Sequence, residues 1–323
     1  MIYTEYHLQN SFNSLSSKII IKRPFLTRDS VKSNKMWSIF SFFINYFIYI
    51  YYTFKISYLD RSAILIHTRY YNSFYIFYLR FLKFIFKNIT LVNDIRTTFE
   101  HKFLSYNFNF FDITFSNSLA TDIQIRENNN LSGKNYLYVE NFLELPNTEK
   151  SYLSPFKFKV GEFYLFIGTL SKRKSFDIVL SVIQNLIRKG EKLVIVGRSV
   201  DFNLDFIKTH FKNEDFIYFE RLDKDKIYYL QKHAKLVLLP SKKEGLPRVA
   251  LETLKFHGRI VLPPCCPEFK TELSNKIPNK ENVLKEAILR LNIDYEYDVN
   301  KHSVKVGFSK YYRFLTEKRN LHN

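Results

Sequence analysis

Four short apolar runs constrain the second half of this chain more than any other feature. Phe163–Ile167, Lys192–Val196, Phe216–Phe219 and Leu236–Leu239 are each four or five residues long, too short for helices and rich in aromatic and β-branched side chains. The first two end at Gly168 and Gly197. Helix-period segments separate the runs. One carries Phe176, Val179, Leu180, Ile183, Leu186 and Ile187 on a single face and ends at Gly190; another covers Ile227–His233. A third helix, Val249–Phe256, follows the last run and closes near Gly258. Strand alternating with helix is the pattern that builds parallel sheets.

The chemistry gathers on the loops after these runs. Glu244 sits on the loop between the last strand and its helix, and Glu252 eight positions later is expected about two turns into that helix. Between them the N–H groups of the helix start are unsatisfied within the helix and favour an anion. An anion site flanked by carboxylates suits a ligand with phosphates and several hydroxyls, such as a nucleotide sugar. The plain alternative is a helix start with a favourable acid before it and a solvated Glu within it. The basic turn Lys172-Arg173-Lys174 after Gly168 is a second candidate anion site; its plain alternative is a solvated turn.

At these residues the chain resembles the retaining family-four (group 1) glycosyltransferases. The motif is Glu244, seven residues, Glu252, with Gly245, Leu246, Pro247 and Arg248 between. The stretch Gly168-Thr169-Leu170 to Lys174 is similar to the family's diphosphate loop, and the order of elements matches over roughly residues 160–275. The resemblance implies an α/β protein of GT-B fold, with two Rossmann-like parallel-sheet domains facing a cleft. It implies that Glu252 binds the ribose hydroxyls, that Glu244 faces the donor sugar and that Lys174 holds the diphosphate. Lys174 and Glu244 are thus the expected catalytic residues. Gly168, Thr169, Arg173, Gly197 and residues 245–248 complete the donor site. There are two departures. Thr169 stands where the family has Arg, leaving Arg173, Arg198 or Arg248 to supply the charge. Pro263-Pro264-Cys265-Cys266-Pro267-Glu268 replaces a glycine-rich loop near the sugar.

The N-terminal half alternates in the same way. Apolar runs at 18–21, 63–66, 89–92, 112–115 and 136–139 predict a second parallel α/β domain. Polar residues at the run ends, His67, Arg69, Asn93 and Asp94, are the candidate acceptor side, since ligands bind at the carboxyl ends of such strands. The aromatic segment 73–87 predicts a helix with Arg80, Lys83 and Lys87 along one face. Residues 36–54 hold nineteen positions without a charge, read as a buried or interfacial helix rather than a span.

Formal net charge is +18, and residues 18–87 carry twelve Lys/Arg against two acids. That balance predicts an acidic partner, and an anionic membrane surface fits it best. Nucleic acid is disfavoured, because no helix-turn-helix, zinc or RNP pattern is present. A dehydrogenase is disfavoured for want of Gly-x-Gly-x-x-Gly after a strand. The two cysteines, Cys265 and Cys266, allow no disulfide framework, and a reducing, cytoplasmic compartment follows. Asp223-Lys-Asp225 imitates a metal-binding Asp pair but precedes a helix, so it reads as a cap. No cofactor and no metal are expected.

The expected organisation is an N-terminal acceptor-side domain over 1–150, a donor-binding domain over 156–300, and a C-terminal helix at 301–323 crossing back to the first. The expected reaction is retaining transfer of a hexosyl-type sugar from a nucleotide diphosphate to a polysaccharide or lipid-linked acceptor. It would take place at the inner face of the cytoplasmic membrane. The alternative is a catalytically silent scaffold in a polysaccharide assembly complex.

Overall fold

The computed structural model describes residues 64–67, 73–95, 110–127, 136–150, 160–212, 214–262, 265–269 and 297–303, with scattered positions beside them. The apolar run at 18–21, most of the 36–54 segment, Arg69, Pro155, Pro263 and most of the C-terminal helix lie outside the described residues. The chain divides into two compact units, Met1–Ser116 with Ile123–Tyr138, and Asn117–Asp122 with Val139–Asn323. The division falls at Tyr138/Val139, upstream of the proline-bearing stretch at 146–155.

The first unit holds a four-stranded sheet, all parallel, in the order β1 (Ile64–His67), β2 (Thr90–Ile95), β3 (Ile113–Ser116), β4 (Tyr136–Tyr138). Helix α1 (Ser73–Ile85) crosses from β1 to β2. It buries Ile76, Leu79 and Leu82 against Leu91, Ile95 and Phe111, because those positions recur at helical spacing. Lys83 does not stand on an open basic face. It pairs with Asp112 at 2.7 Å and donates to the Ile89 carbonyl at 2.6 Å, while Asp112 also accepts from the Leu91 N–H. Lys83 thus ties the helix to the strand edge, and Arg80 and Lys87 remain exposed. Helix α2 (Leu119–Glu127) follows β3.

The second unit holds a five-stranded parallel sheet. Its strands are β5 (Phe163–Ile167), β6 (Lys192–Val196), β7 (Phe216–Phe219), β8 (Leu236–Leu238) and β9 (Ile260–Val261), in the spatial order β7-β6-β5-β8-β9. Helix α3 (Phe176–Gln184) and the short α4 (Leu204–Lys208) lie on one face; α5 (Lys224–His233) and α6 (Arg248–Lys255) lie on the other. Alternation along each strand divides the core accordingly. Phe163, Leu165, Val194, Val196 and Val237 pack toward α5 and α6, and Tyr164, Phe166, Leu193, Ile195 and Leu238 pack toward α3. Burial on both faces is why these strands read as unbroken apolar runs.

Strand order reverses direction between β5 and β8. In open parallel sheets that reversal opens a crevice at the carboxyl ends of the two strands. The Gly168 loop leaves β5 there, and the loop bearing Glu244 leaves β8 there. The topology therefore brings the two candidate segments together, although about seventy residues separate them.

Candidate functional site

The Gly168 loop is fixed by its neighbour strand. The Gly168 N–H donates to the Val196 carbonyl at 2.9 Å and the Leu170 N–H to the Arg198 carbonyl at 2.9 Å. The loop passes so close to the end of β6 that a Cβ on Gly197 would lie 1.7 Å from the Gly168 oxygen. Only glycine fits at position 197. The stem of Lys174 runs along Gly168, its carbons 3.6 to 3.8 Å from where a Cβ would stand. Thr169 turns its hydroxyl toward the Ser171 hydroxyl at 3.2 Å.

Residues 172–174 form a single 3-10 turn, and Ser175, in the left-handed region at φ 54°, starts α3. That turn aims Lys174 across the crevice. Its Nζ forms an ion pair with Glu244 Oε1, and both side chains are only 13% exposed. Arg173 Nη1 donates to the Lys243 carbonyl at 2.9 Å and lies 3.8 Å from Glu244. The Lys242 N–H returns a bond to the Arg173 carbonyl at 2.9 Å. Glu244, Lys174 and Arg173 therefore form one cluster. Arg173, one of the three candidates for the charge missing at Thr169, thus approaches Glu244. Arg248 instead turns to Glu252.

Pro247 occupies the N-cap of α6 and offers no side-chain acceptor. The helix begins at Arg248, so Glu252 stands one turn into it rather than two, because Gly245-Leu246-Pro247 stays in the loop. Glu252 is not solvated; it is 7% exposed. Burial pushes its carboxyl above the ordinary value, against the pull of Arg248 at 3.5 Å, of Lys224, and of a hydrogen bond from Gln231. Gln231 and Tyr228 of α5 line its surroundings. The Tyr228 hydroxyl is buried without a partner, and burial followed by the Glu252 charge pushes its pKa upward. A buried carboxylate beside an unmatched hydroxyl is a costly arrangement in the absence of a further hydrogen-bonding group. Vicinal hydroxyls of a ligand would supply one.

Further residues border this loop. Asn141 Nδ2 donates to the Leu246 carbonyl at 3.2 Å, and the Asn141 carbonyl meets buried His302 Nδ1 at 2.9 Å. Glu268 accepts from the Leu119 N–H at the start of α2, where a carboxylate complements the helix dipole. Cys265 and Cys266 lie under the loop, their thiols directed at the carbonyls of Ser241 and Gly245. Lys224, Tyr228 and Gln231 do carry a sequence signal, spaced four and three apart on one helical face. Asp223 holds the N-cap position of α5 without a side-chain cap bond. It pairs with Lys226, and Asp225 pairs with Lys150 at 2.6 Å.

In the first unit, Asn93 and Asp94 lie in β2, both buried, with Asn93 in register with His67 and Thr114. His67 ends β1; its side chain, like Arg69, lies outside the described residues. Among the described residues no helix is long and apolar enough to cross a membrane.

Residues 154–271 match the family described as Glycosyl transferases group 1. No curated protein compared with the chain matches it. Solved structures share its α/β, parallel-sheet GT-B fold. The pneumococcal O-GlcNAc transferase GtfA, solved in complex with UDP and GlcNAc, aligns with a TM-score of 0.62 at 13% identity, covering 84% of this chain and 59% of GtfA. Anabaena HepE, in complex with UDP, aligns with a TM-score of 0.61 at 13% identity over 83% of this chain and 82% of its own. A glycosyltransferase from Rickettsia africae gives a TM-score of 0.63 at 12% identity over 83% and 80%. The chain thus spans about three fifths of the length of GtfA.

Proposed function

We propose that this chain transfers a sugar from a nucleotide diphosphate sugar, with retention at the anomeric carbon, to a polysaccharide or lipid-linked acceptor. One observation carries the reading: Lys174, Arg173 and Glu244 converge at the strand reversal, and buried Glu252 stands one turn into the helix that follows Glu244, all inside the segment that matches the group 1 family. The presence of UDP in GtfA and HepE supports a uridine or related nucleotide as the first ligand to test.

In this reading the diphosphate takes Lys174 from Glu244 and gains Arg173. Glu244, released, accepts from hydroxyls of the donor sugar, and Glu252 accepts from the ribose diol. The bond from the anomeric carbon to the diphosphate oxygen breaks while the bond to the acceptor oxygen forms on the same face. The acceptor proton passes to the leaving phosphate. Lys174 and Arg173 stabilise the charge that develops there, so these residues supply the electrostatic work without a metal. His67, Arg69, Asn93 and Asp94 are the proposed acceptor side.

The test is release of nucleoside diphosphate from a panel of donors, with the product anomer read by NMR coupling. A retained anomer, lost in Glu244→Gln, supports the proposal, and an inverted anomer removes the retaining part. A folded chain that turns over no donor is the silent scaffold instead.

The acceptor proposal extends to an anionic membrane surface. Among the described residues every strongly exposed Phe or Tyr falls between positions 51 and 84: Tyr51, Phe54, Tyr58, Phe77, Phe81 and Phe84. Phe77 and Phe84 are 69% and 77% exposed on α1, beside exposed Arg80 and Lys87. A helix apolar on its outer face as well as its packed face, rimmed by cations, suits an anionic bilayer interface. The compartment proposed is the cytoplasm, with the chain peripheral on the inner membrane face. Co-sedimentation with anionic vesicles, weakened in Phe77→Ser/Phe84→Ser, supports this. Equal binding by both proteins refutes it, and self-association lost in the variant points to a second copy as the occupant.

A further inference from the structure

Gly245-Leu246-Pro247 joins Glu244 to the helix that bears Glu252, so the path of these three residues sets where the two carboxylates stand. The path is held from outside. Arg173 donates to the Lys243 carbonyl at 2.9 Å, Cys266 Sγ to the Gly245 carbonyl at 3.0 Å, and Asn141 Nδ2 to the Leu246 carbonyl at 3.2 Å. Pro247 has no N–H to give, and as the N-cap residue it supplies no side-chain bond.

Asn141 is itself gripped on both sides. Its N–H donates to the Asn117 carbonyl at 2.8 Å, and its carbonyl lies 2.9 Å from His302 Nδ1. A carbonyl only accepts, so Nδ1 carries a proton. His302 is fully buried, and burial pushes its pKa below the ordinary value, so the ring is neutral. Nε2 is then the acceptor, and the Tyr297 hydroxyl donates to it at 2.8 Å. The Tyr297 ring stacks on the imidazole at 5.7 Å, 11° from parallel, and packs against Phe269 at 5.0 Å. The backbone completes the clamp, with the Leu143 N–H donating to the His302 carbonyl at 2.9 Å. A continuous chain of bonds thus runs from Tyr297 through His302 and Asn141 to Leu246.

We propose that His302 is a positioning residue for the donor site: through Asn141 it seats the Leu246 carbonyl, and so holds Glu244 and Glu252 at the separation where both can grip one nucleotide sugar. The inference rests on the nucleotide-sugar reading for its ligand, whereas the chain of bonds stands without it. His302 touches no ligand in this role. A buried imidazole is costly unless both ring nitrogens are matched. Here both are, and one match goes to the backbone of the residue whose side chain holds the loop. Without the Nδ1 donor the Asn141 carbonyl is left unpaired, the backbone there is free to rotate, and the amide that holds Leu246 leaves with it.

The experiment measures calorimetric affinity for UDP, GDP and ADP, and hydrogen exchange of the amides at 244–252 without nucleotide, on the whole chain and its variants. His302→Phe keeps a ring in the space but removes the donor. His302→Asn loses the ring but keeps an N–H near the place of Nδ1. Asn141→Ala removes the link to Leu246. For the nucleotide that the wild type binds best, His302→Phe and Asn141→Ala should each weaken affinity about fivefold, the effect of one hydrogen bond. Their double variant should bind no more weakly than either single, since both cut the same path. His302→Asn should recover most of the affinity that His302→Phe loses, although it melts below the wild type. Exchange at 244–252 should quicken in His302→Phe and Asn141→Ala. A space-filling role predicts the opposite ranking, Phe above Asn, and that result, or additive losses, overturns the proposal. If His302→Phe does not fold, Asn141→Ala decides, and wild-type affinity in it overturns the proposal. A wild type that binds none of the three nucleotides refutes the donor-site reading, and unchanged exchange in Asn141→Ala separately refutes the seating of the loop.

Discussion

Gly197→Ala is the sharpest single perturbation of the site, because the obstruction is backbone. The new Cβ would stand 1.7 Å from the Gly168 oxygen and 2.6 Å from its carbonyl carbon. A C···O contact needs about 3.3 Å, so strand end and loop must part by roughly 1.6 Å. That separation breaks the bonds that seat the loop, Gly168 N–H to Val196 and Leu170 N–H to Arg198, both 2.9 Å. Each is worth about 1 kcal/mol. The positive φ of Gly197, 158°, adds roughly 1 kcal/mol when a side chain is present. The sum is about 3 kcal/mol of lost stability, with Lys174 displaced because its stem rests on Gly168. Gly190→Ala is the control: its φ is 92°, but nothing lies within 4 Å of the added carbon, so only the roughly 1 kcal/mol strain remains. Urea unfolding of both variants should differ by about 2 kcal/mol, and only Gly197→Ala should weaken nucleotide binding, by about tenfold or more. If the two variants lose the same stability and bind alike, the loop is not seated as argued.

Three other perturbations separate the parts of the account. Glu252 holds its proton more tightly folded than unfolded, so its contribution to stability is fully present below the ordinary carboxylate pKa and is lost as pH rises through the raised value. Relative to wild type, Glu252→Gln should therefore gain stability in melts above that window and not below it, while losing nucleotide affinity. A gain that does not depend on pH refutes the burial argument. The losses from Lys174→Met and Glu244→Gln should sum to more than the loss in the double variant, by a coupling of about 1–3 kcal/mol in denaturation; additivity would mean the pair is not formed. In the first unit, Lys83→Gln should cost about 1 kcal/mol by cutting the Asp112 contact, with little effect on vesicle binding. Lys87→Gln should do the reverse, and vesicle sedimentation at two salt concentrations with parallel melts checks both.

The central strands β5, β6 and β8 were legible because they are buried on both faces and write themselves as apolar runs; β9, two residues long, is too short to show that signal. The pairing of the Gly168 loop with the Glu244 loop was readable from element order, since strand reversal alone places both loop ends together. What stayed hidden is non-local. Nothing around Glu252 says that Lys224 and Gln231, more than twenty residues earlier, will enclose it. Nothing around Lys83 announces Asp112, which turns a basic helix face into one with a half-buried tie. The helix starts at Arg248 rather than Val249, and its cap is a proline with no acceptor. The Asp223-Lys-Asp225 segment sits at a helix start as its composition suggests, yet its carboxylates go to lysines rather than to the cap.

The measurement that bears most directly on the central claim is calorimetric titration of UDP, GDP and ADP into the wild type and into Glu252→Ala. The account predicts that one nucleotide binds selectively and that the variant loses at least about tenfold in affinity for it. A folded wild type that binds none of the three, or a variant that binds as tightly as wild type, contradicts the assignment of the crevice between β5 and β8 as a nucleotide-sugar site.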